Sequence, residues 1–220
     1  MIPGPEEIVA CPHCGGLGKV ATLLSGNTFG ARVWTDGKQV APMLPSPPAV
    51  ARCSGCRKCY WLADAERVGT IGSRRVGSGI VDPAWAAARK VEEPSEEEYY
   101  AALAQGLAVN RQQERNLRVL AWWRGNDAFR DTSRVRTGNI APTSGGRTEN
   151  LKALARLLGE KDLDDRIMKA EVLRELRDFD AAIDILAAIG SPGYEAVIRQ
   201  LRSLCESKDM CVRELSFGDA

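Results

Sequence analysis

Apolar and polar positions alternate with a period of two through the first third of the chain and with a period near 3.6 through its last half. Ile8-Val9-Ala10 and Lys19-Val-Ala-Thr-Leu-Leu24 flank a tight Cys-Pro-His-Cys turn and predict two strands of a hairpin. Ala49-Val50-Ala51-Arg52 and the β-forming Tyr60-Trp61-Leu62 flank a second Cys-x-x-Cys turn in the same manner. Between the two turns, Ala31 to Ala41 alternates around Asp36-Gly37, a strong short-range hairpin signal. Ser25 to Gly30 reads as a polar loop, and Ala41 to Pro48 must be extended, because four prolines in seven residues exclude helix and central strand.

Gly69-Thr-Ile-Gly72-Ser-Arg-Arg-Val-Gly77-Ser-Gly79 reads as a flexible link, after which the helical period takes over. Ser95-Glu-Glu-Glu98 is a capping box opening a helix with Tyr99, Leu103 and Leu107 on one face. A second helix carries Leu117, Leu120, Ala121 and the Trp122-Trp123 pair, and should stop at Gly125-Asn126; the tryptophans are expected in helix packing. Asp131 to Gly146 is a Ser/Thr/Gly/Pro-rich loop. Further helices are predicted from Leu151 to Leu158 (capped by Thr148), Asp162 to Arg177, from the turn at Asp178-Phe179-Asp180 through Ile189, and from Tyr194 onward with Val197, Ile198, Leu201, Leu204 and Cys205 apolar. Cys211 is expected in a frayed tail. The predicted fold class is α+β: an antiparallel β module over 1–68 with an inserted hairpin, a link and short helix over 69–94, and an all-α helical-hairpin domain over 95–220 with a loop at 131–147.

The chemistry lies in the two knuckles, Cys11-Pro-His-Cys14 and Cys53-Ser-Gly-Cys56. Two such pairs can supply four thiolates to one tetrahedral zinc, giving a zinc ribbon with Cys11, Cys14, Cys53 and Cys56 as ligands. Cys-Pro-His-Cys is also a thiol-oxidant tetrapeptide, but that activity needs its first cysteine at a helix N-terminus. Here Gly15-Gly16-Leu17-Gly18 follows, and each glycine would cost a helix about 1 kcal/mol relative to alanine. Cys59 offers a competing pair with Cys56 and could replace Cys53 or Cys56. Gly55 favours Cys53–Cys56, and Cys59 is expected as a small apolar residue under the sheet. His13, the one histidine, should point to solvent. Four protein ligands leave no position for water, so the Zn2+ is expected to be structural.

Composition narrows the function classes. Thirty basic against 29 acidic side chains exclude a global pull toward nucleic acid or anionic membrane. Residues 1–78 are mildly basic, with nine Lys/Arg against five Asp/Glu, and 151–220 mildly acidic, with eleven against fourteen. Neither a secretory signal nor a run of about 20 apolar residues is visible, so a cytoplasmic protein with no membrane partner is expected. In that compartment cysteine pairs favour metal over disulfides. One histidine inside a knuckle argues against Ser-His or Cys-His catalysis, and neither a phosphate-cradling loop nor a dinucleotide fingerprint is present. Asp162, Asp164 and Asp165 read as a solvated helix N-terminus rather than catalytic carboxylates.

Lys169 to Leu186, with small Ala170 and Ala182 at the helix approach and Phe179 opening the second helix, resembles one tetratricopeptide-type helix hairpin. It lacks that family's usual Trp and Gly in the first helix. The whole layout resembles uncharacterised bacterial zinc-ribbon proteins with a TPR-like helical C-terminal domain; the resemblance implies a fold and no established activity. One hairpin cannot form a solenoid, so flanking helices must complete the bundle. The expected role is a non-enzymatic protein-binding scaffold. The alternative is a nucleic-acid-associated ribbon using Lys19, Arg32, Lys38, Arg52, Arg57, Lys58, Arg74 and Arg75. For the insertion, Phe29 and Trp34 are expected to cover the ribbon core; the competing reading makes Phe29, Arg32, Trp34 and the Asn27 loop a recognition face.

Overall fold

The computed structural model describes residues 1–72, 82–130 and 145–217. Its strands are β1 (Ile2–Pro3), β2 (Glu6–Ala10), β3 (Leu17–Val20), β4 (Leu23–Ser25), β5 (Arg32–Val33), β6 (Gln39–Val40), β7 (Val50–Arg52), β8 (Cys59–Trp61), β9 (Glu66–Ile71) and β10 (Arg89–Lys90). The helices are α1 (Pro83–Ala87), α2 (Glu96–Ala104), α3 (Arg111–Arg130), α4 (Gly145–Leu157), α5 (Leu163–Glu175), α6 (Phe179–Ala187) and α7 (Glu195–Glu206). This is a mixed α+β chain. Among the described residues no helix is long and apolar enough to cross a membrane. The chain divides into two compact units, one of residues 1–31 and 40–94, the other of residues 32–39 and 95–220.

In the first unit β2 is the middle of the sheet. It pairs antiparallel with β3 on one side and β9 on the other, and β10 adds to β3 in parallel, giving the order β10-β3-β2-β9. Ile8 and Val9 are both buried. The expected strand Lys19 to Leu24 breaks at Ala21-Thr22. Thr22 is held off the ladder by its hydroxyl, which donates to the Pro5 carbonyl at 2.6 Å, while its own carbonyl accepts from Gly4. Pro5 has no N–H with which to continue a ladder, so the chain resumes as β4 against β1 instead. Gly69, read from sequence as the start of a flexible link, lies inside β9, with the indole of Trp85 packed directly over it. Arg74, Arg75 and the rest of that stretch beyond Gly72 fall outside the described residues.

The second unit stacks α2 to α7. Ser95 opens α2 with the expected reciprocal capping box, and the Asp162 and Asp178 carboxylates cap α5 and α6. Two cores hold it: one of α5, α6 and α7 around Ala170, Ala182, Leu186, Leu201 and Cys205, the other of α3, α4 and α5 around Trp122, Leu151, Leu154 and Val172. Helix α3 runs past the stop that Gly125-Asn126 suggests, as far as Arg130. Gly125 is a packing requirement: a Cβ there would collide with the Arg147 guanidinium and the Glu96 carboxylate. Helix α4 likewise starts at Gly145, ahead of the predicted Leu151, so Gly145, Gly146 and Arg147 are helical and not part of a loop.

The inserted segment does not cover the ribbon core as expected, and Trp34 takes no part in a recognition face. Phe29 is 83 % exposed and covers no core. Trp34 is 3 % exposed and so presents no recognition face; it is buried in the helical unit, with the guanidinium groups of Arg32 and Arg130 4.8 and 5.2 Å from its ring centroid. Cys211 is not in a frayed tail either. The segment Met210 to Val212 is buried, with the Cys211 carbonyl accepting from Arg174 at 2.9 Å.

Candidate metal centre

Each knuckle is a turn that the backbone closes on itself. Gly15 N–H donates to the Cys11 carbonyl at 2.9 Å and Cys11 N–H to Gly16; in the second knuckle Arg57 N–H donates to the Cys53 carbonyl and Cys53 N–H to Lys58, both at 3.0 Å. The residue after the second cysteine takes the left-handed conformation in both, Gly15 at φ 70° and Arg57 at φ 61°. The turn therefore does not depend on Gly55, which lacks a positive φ; it depends on the residue following Cys56. A β-carbon in this conformation costs about 1 kcal/mol. Gly15→Ala should accordingly destabilise the metal-loaded ribbon by about 1 kcal/mol in chemical denaturation; an unchanged midpoint would refute this account of the turn.

Strands β2 and β3 present the first knuckle, and β7 and β8 the second. Together they bring the sulfurs of Cys11, Cys14, Cys53 and Cys56 within 4.8 Å of one another. Cys11 Sγ lies 3.9 Å from Cys56 Sγ, and Cys14 Sγ lies 3.7 Å from Cys53 Sγ. Four sulfurs each about 2.3 Å from a central ion form a tetrahedron with edges of about 3.8 Å. The spacing fits a tetrathiolate site. Cys11, Cys53 and Tyr60 are buried with Ala51 in a small core, and Cys56, Leu62, Ala65 and Val91 pack against it.

Burial and backbone amides act unequally on the cysteines of the site. Burial pushes the Cys11 thiol up to about 12. Burial works the same way on Cys53, but the Cys56 and Gly55 amides and the neighbouring thiols outweigh it and hold that group at about 7. Tyr60 is raised to about 12 by burial and by the four cysteines beside it. Thiolates this close repel one another unless a cation neutralises them. Cys59 and His13 do not join the group. His13 is exposed, with its Nε2 3.2 Å from the Cys59 carbonyl. No known protein family, curated protein or solved structure matches this chain. The site is therefore read from its own geometry.

A second polar cluster, to which the sequence gives no direct pointer, lies inside the helical unit. Asp36 is 1 % exposed. Its carboxylate accepts from both terminal nitrogens of Arg130 and, at 2.9 Å, from Asn126 Nδ2, while its carbonyl accepts from Trp123 Nε1 at 2.9 Å. Asn126 also donates to Glu175, which accepts in addition from Trp122 Nε1 and Arg147 at 2.9 Å. Burial raises the Glu175 carboxyl to about 7 against the pull of the Arg147 guanidinium. The cluster consists of ion pairs whose donors and acceptors satisfy one another. The one sequence signal was Asp36-Gly37, legible as a turn but not as a buried anchor.

The acidic trio is likewise engaged in structure. Asp162 caps α5, Asp164 accepts from the Tyr194 hydroxyl at 2.9 Å, and Asp165 pairs with Arg115 and accepts from Gly159 N–H. Of the basic side chains named for nucleic acid, Arg32 pairs with Glu214, Lys38 with Asp127 and Arg52 with Glu92, and Lys19 donates to the Ala86 carbonyl.

Proposed function

We propose that this is a non-enzymatic binding protein whose N-terminal unit is a structural four-cysteine zinc ribbon. The observation that carries the reading is the set of four sulfurs at tetrahedral spacing, which fills the coordination shell of one ion and leaves no position for a substrate or water. Thiolate ligands in a tetrahedron select zinc or iron among biological metals. Zinc is the structural choice, since it has no redox chemistry to perform.

A binding role is supported by where apolar side chains remain outside. On the first unit, Ile2 of β1, Leu24 of β4 (72 % exposed), Phe29 and Leu44 are exposed. β1 pairs with β4, and Asn27 N–H donates to the Met43 carbonyl, so Ile2, Leu24 and Leu44 are carried on neighbouring stretches of backbone with Phe29 two residues beyond Asn27. Exposed apolar groups concentrated in this way suit a protein partner better than phosphate backbone.

Elemental analysis of the purified full-length chain should find one zinc per molecule, and Cys11→Ser should lower that content severalfold. Visible absorption from bound iron would replace the structural reading with an electron-transfer one. For the partner, the wild-type chain should retain a protein from the native cell that a Leu24→Asp, Phe29→Asp variant with full zinc loses. Retention of nothing above background, or of nuclease-sensitive material alone, would sink the binding role.

A further inference from the structure

The helical unit is completed by a piece of chain from far upstream. Residues 32–39 lie between the two knuckles in sequence, yet they belong to the unit made by 95–220. The segment is bound there along its whole length. Val33 carbonyl accepts from Leu215 N–H at 2.8 Å, Thr35 N–H donates to the Arg213 carbonyl at 2.8 Å, and Thr35 Oγ1 accepts from Arg213 N–H at 3.0 Å. Lys38 pairs with Asp127 at 2.7 Å, and Asp36 closes the network on Arg130, Asn126 and Trp123. Without this hairpin, Arg130 and the Trp123 indole would lose their buried acceptor, and Trp34 would vacate its place beside Arg130.

We infer that this hairpin makes the stability of the C-terminal half of α3 depend on whether the metal-held ribbon is folded. The hairpin is delivered on a loop. Its two ends, Ala31 and Val40, and the residue that leads into α2, Pro94, all belong to the ribbon unit. When that unit is folded these points are held at fixed separations, so the hairpin meets its socket at high effective concentration. When it is unfolded, residues 40–94 become a flexible tether whose closure carries the full entropic cost. For a tether of several tens of residues that cost weakens docking by up to roughly 100-fold. The coupling presupposes the zinc site proposed above, because metal is then what keeps the ribbon folded.

Hydrogen exchange on the full-length protein, zinc-loaded and after chelation, tests this. Local opening is read amide by amide, and α6 and α7, packed around Leu186 and Leu201 with no contribution from the hairpin, serve as the internal standard. Chelation should abolish protection in β2 and β7 and speed exchange in Trp122 to Arg130 by about 10- to 100-fold, leaving α6 and α7 unchanged. In Asp36→Asn, which keeps all four cysteines and its zinc, the α3 segment should already exchange faster, with chelation adding little. If the ribbon loses protection while α3 does not, the coupling is wrong and the metal site stands. If chelation speeds α3 equally in Asp36→Asn, the hairpin is not the carrier and the inference also fails. If the ribbon keeps its protection without metal, both the zinc reading and the coupling are overturned.

Discussion

On the proposed zinc reading, a strong chelator will unfold the ribbon while most of the helical circular dichroism survives. Among the described residues the unit buries few apolar side chains, Ile8, Val9, Val20, Val50, Ala51 and Tyr60 beside Cys11 and Cys53, so apolar burial alone holds it weakly. Structural zinc contributes apparent free energies of about 10–16 kcal/mol in small finger peptides, which is as large as the stability of a typical domain. Cys11→Ser should do the same without chelator, because it removes a ligand whose sulfur is buried among the other three. Acid should mimic both, as protons compete with the ion for thiolates and metal affinity falls with pH. The check is tryptophan and tyrosine fluorescence of the ribbon with metal content measured in parallel. A chain that stays folded at its N-terminus with no metal bound would disprove the structural role.

Arg174→Ala will cost the zinc-loaded protein about 3–5 kcal/mol, the largest expected effect of a single change in the helical unit. Arg174 and Glu171 are a fully buried ion pair on one face of α5, bonded at 2.7 and 2.6 Å. The same guanidinium donates to the Asp209 and Cys211 carbonyls and so ties the C-terminal segment to the bundle. Truncating it leaves a carboxylate and two carbonyls buried without donors. Arg174→Lys should rescue little, since an ammonium cannot reproduce the two-pronged contact with Glu171 while reaching both carbonyls. The double change Arg174→Met, Glu171→Met should cost less than Arg174→Ala alone, because no unpaired charge remains. Denaturant midpoints of the four proteins decide it, and a loss under 1 kcal/mol for Arg174→Ala would contradict the argument.

The two knuckles and the helix caps were legible because both are local. Cys11 and Cys14, or Ser95 and Glu98, lie within one turn of each other, and their spacing alone states the geometry. The destination of the inserted hairpin was not legible. Its alternation predicts a hairpin correctly, but Trp34 and Asp36 are engaged by Arg130 and Asn126, and Thr35 by Arg213, and nothing in an alternating stretch says which distant residues will bury it. The same reason hid the fate of Cys211. Helix α3 outruns its prediction because Gly125 reads as a stop by propensity, whereas its actual constraint is the approach of Arg147 and Glu96. Strand β9 is obscured in part because Gly69 and Gly72 resemble linker composition, although a strand interior also tolerates glycine where an indole lies against the backbone. The left-handed residue of the second knuckle is Arg57, where composition would place a glycine.

Thr35 receives a hydrogen bond from Arg213, 178 residues further along the chain. During synthesis at about 5–20 residues per second, the hairpin leaves the ribosome on the order of 10–40 s before the 213–215 segment that binds it exists. Trp34 and Asp36 meet Arg130, Asn126 and Trp123 about halfway through that interval, while Thr35 still lacks its partner. The hairpin's seat is complete only once residues 213–215 have been made, so a chain cut short just before Arg213 should be degraded by the cell's quality-control proteases.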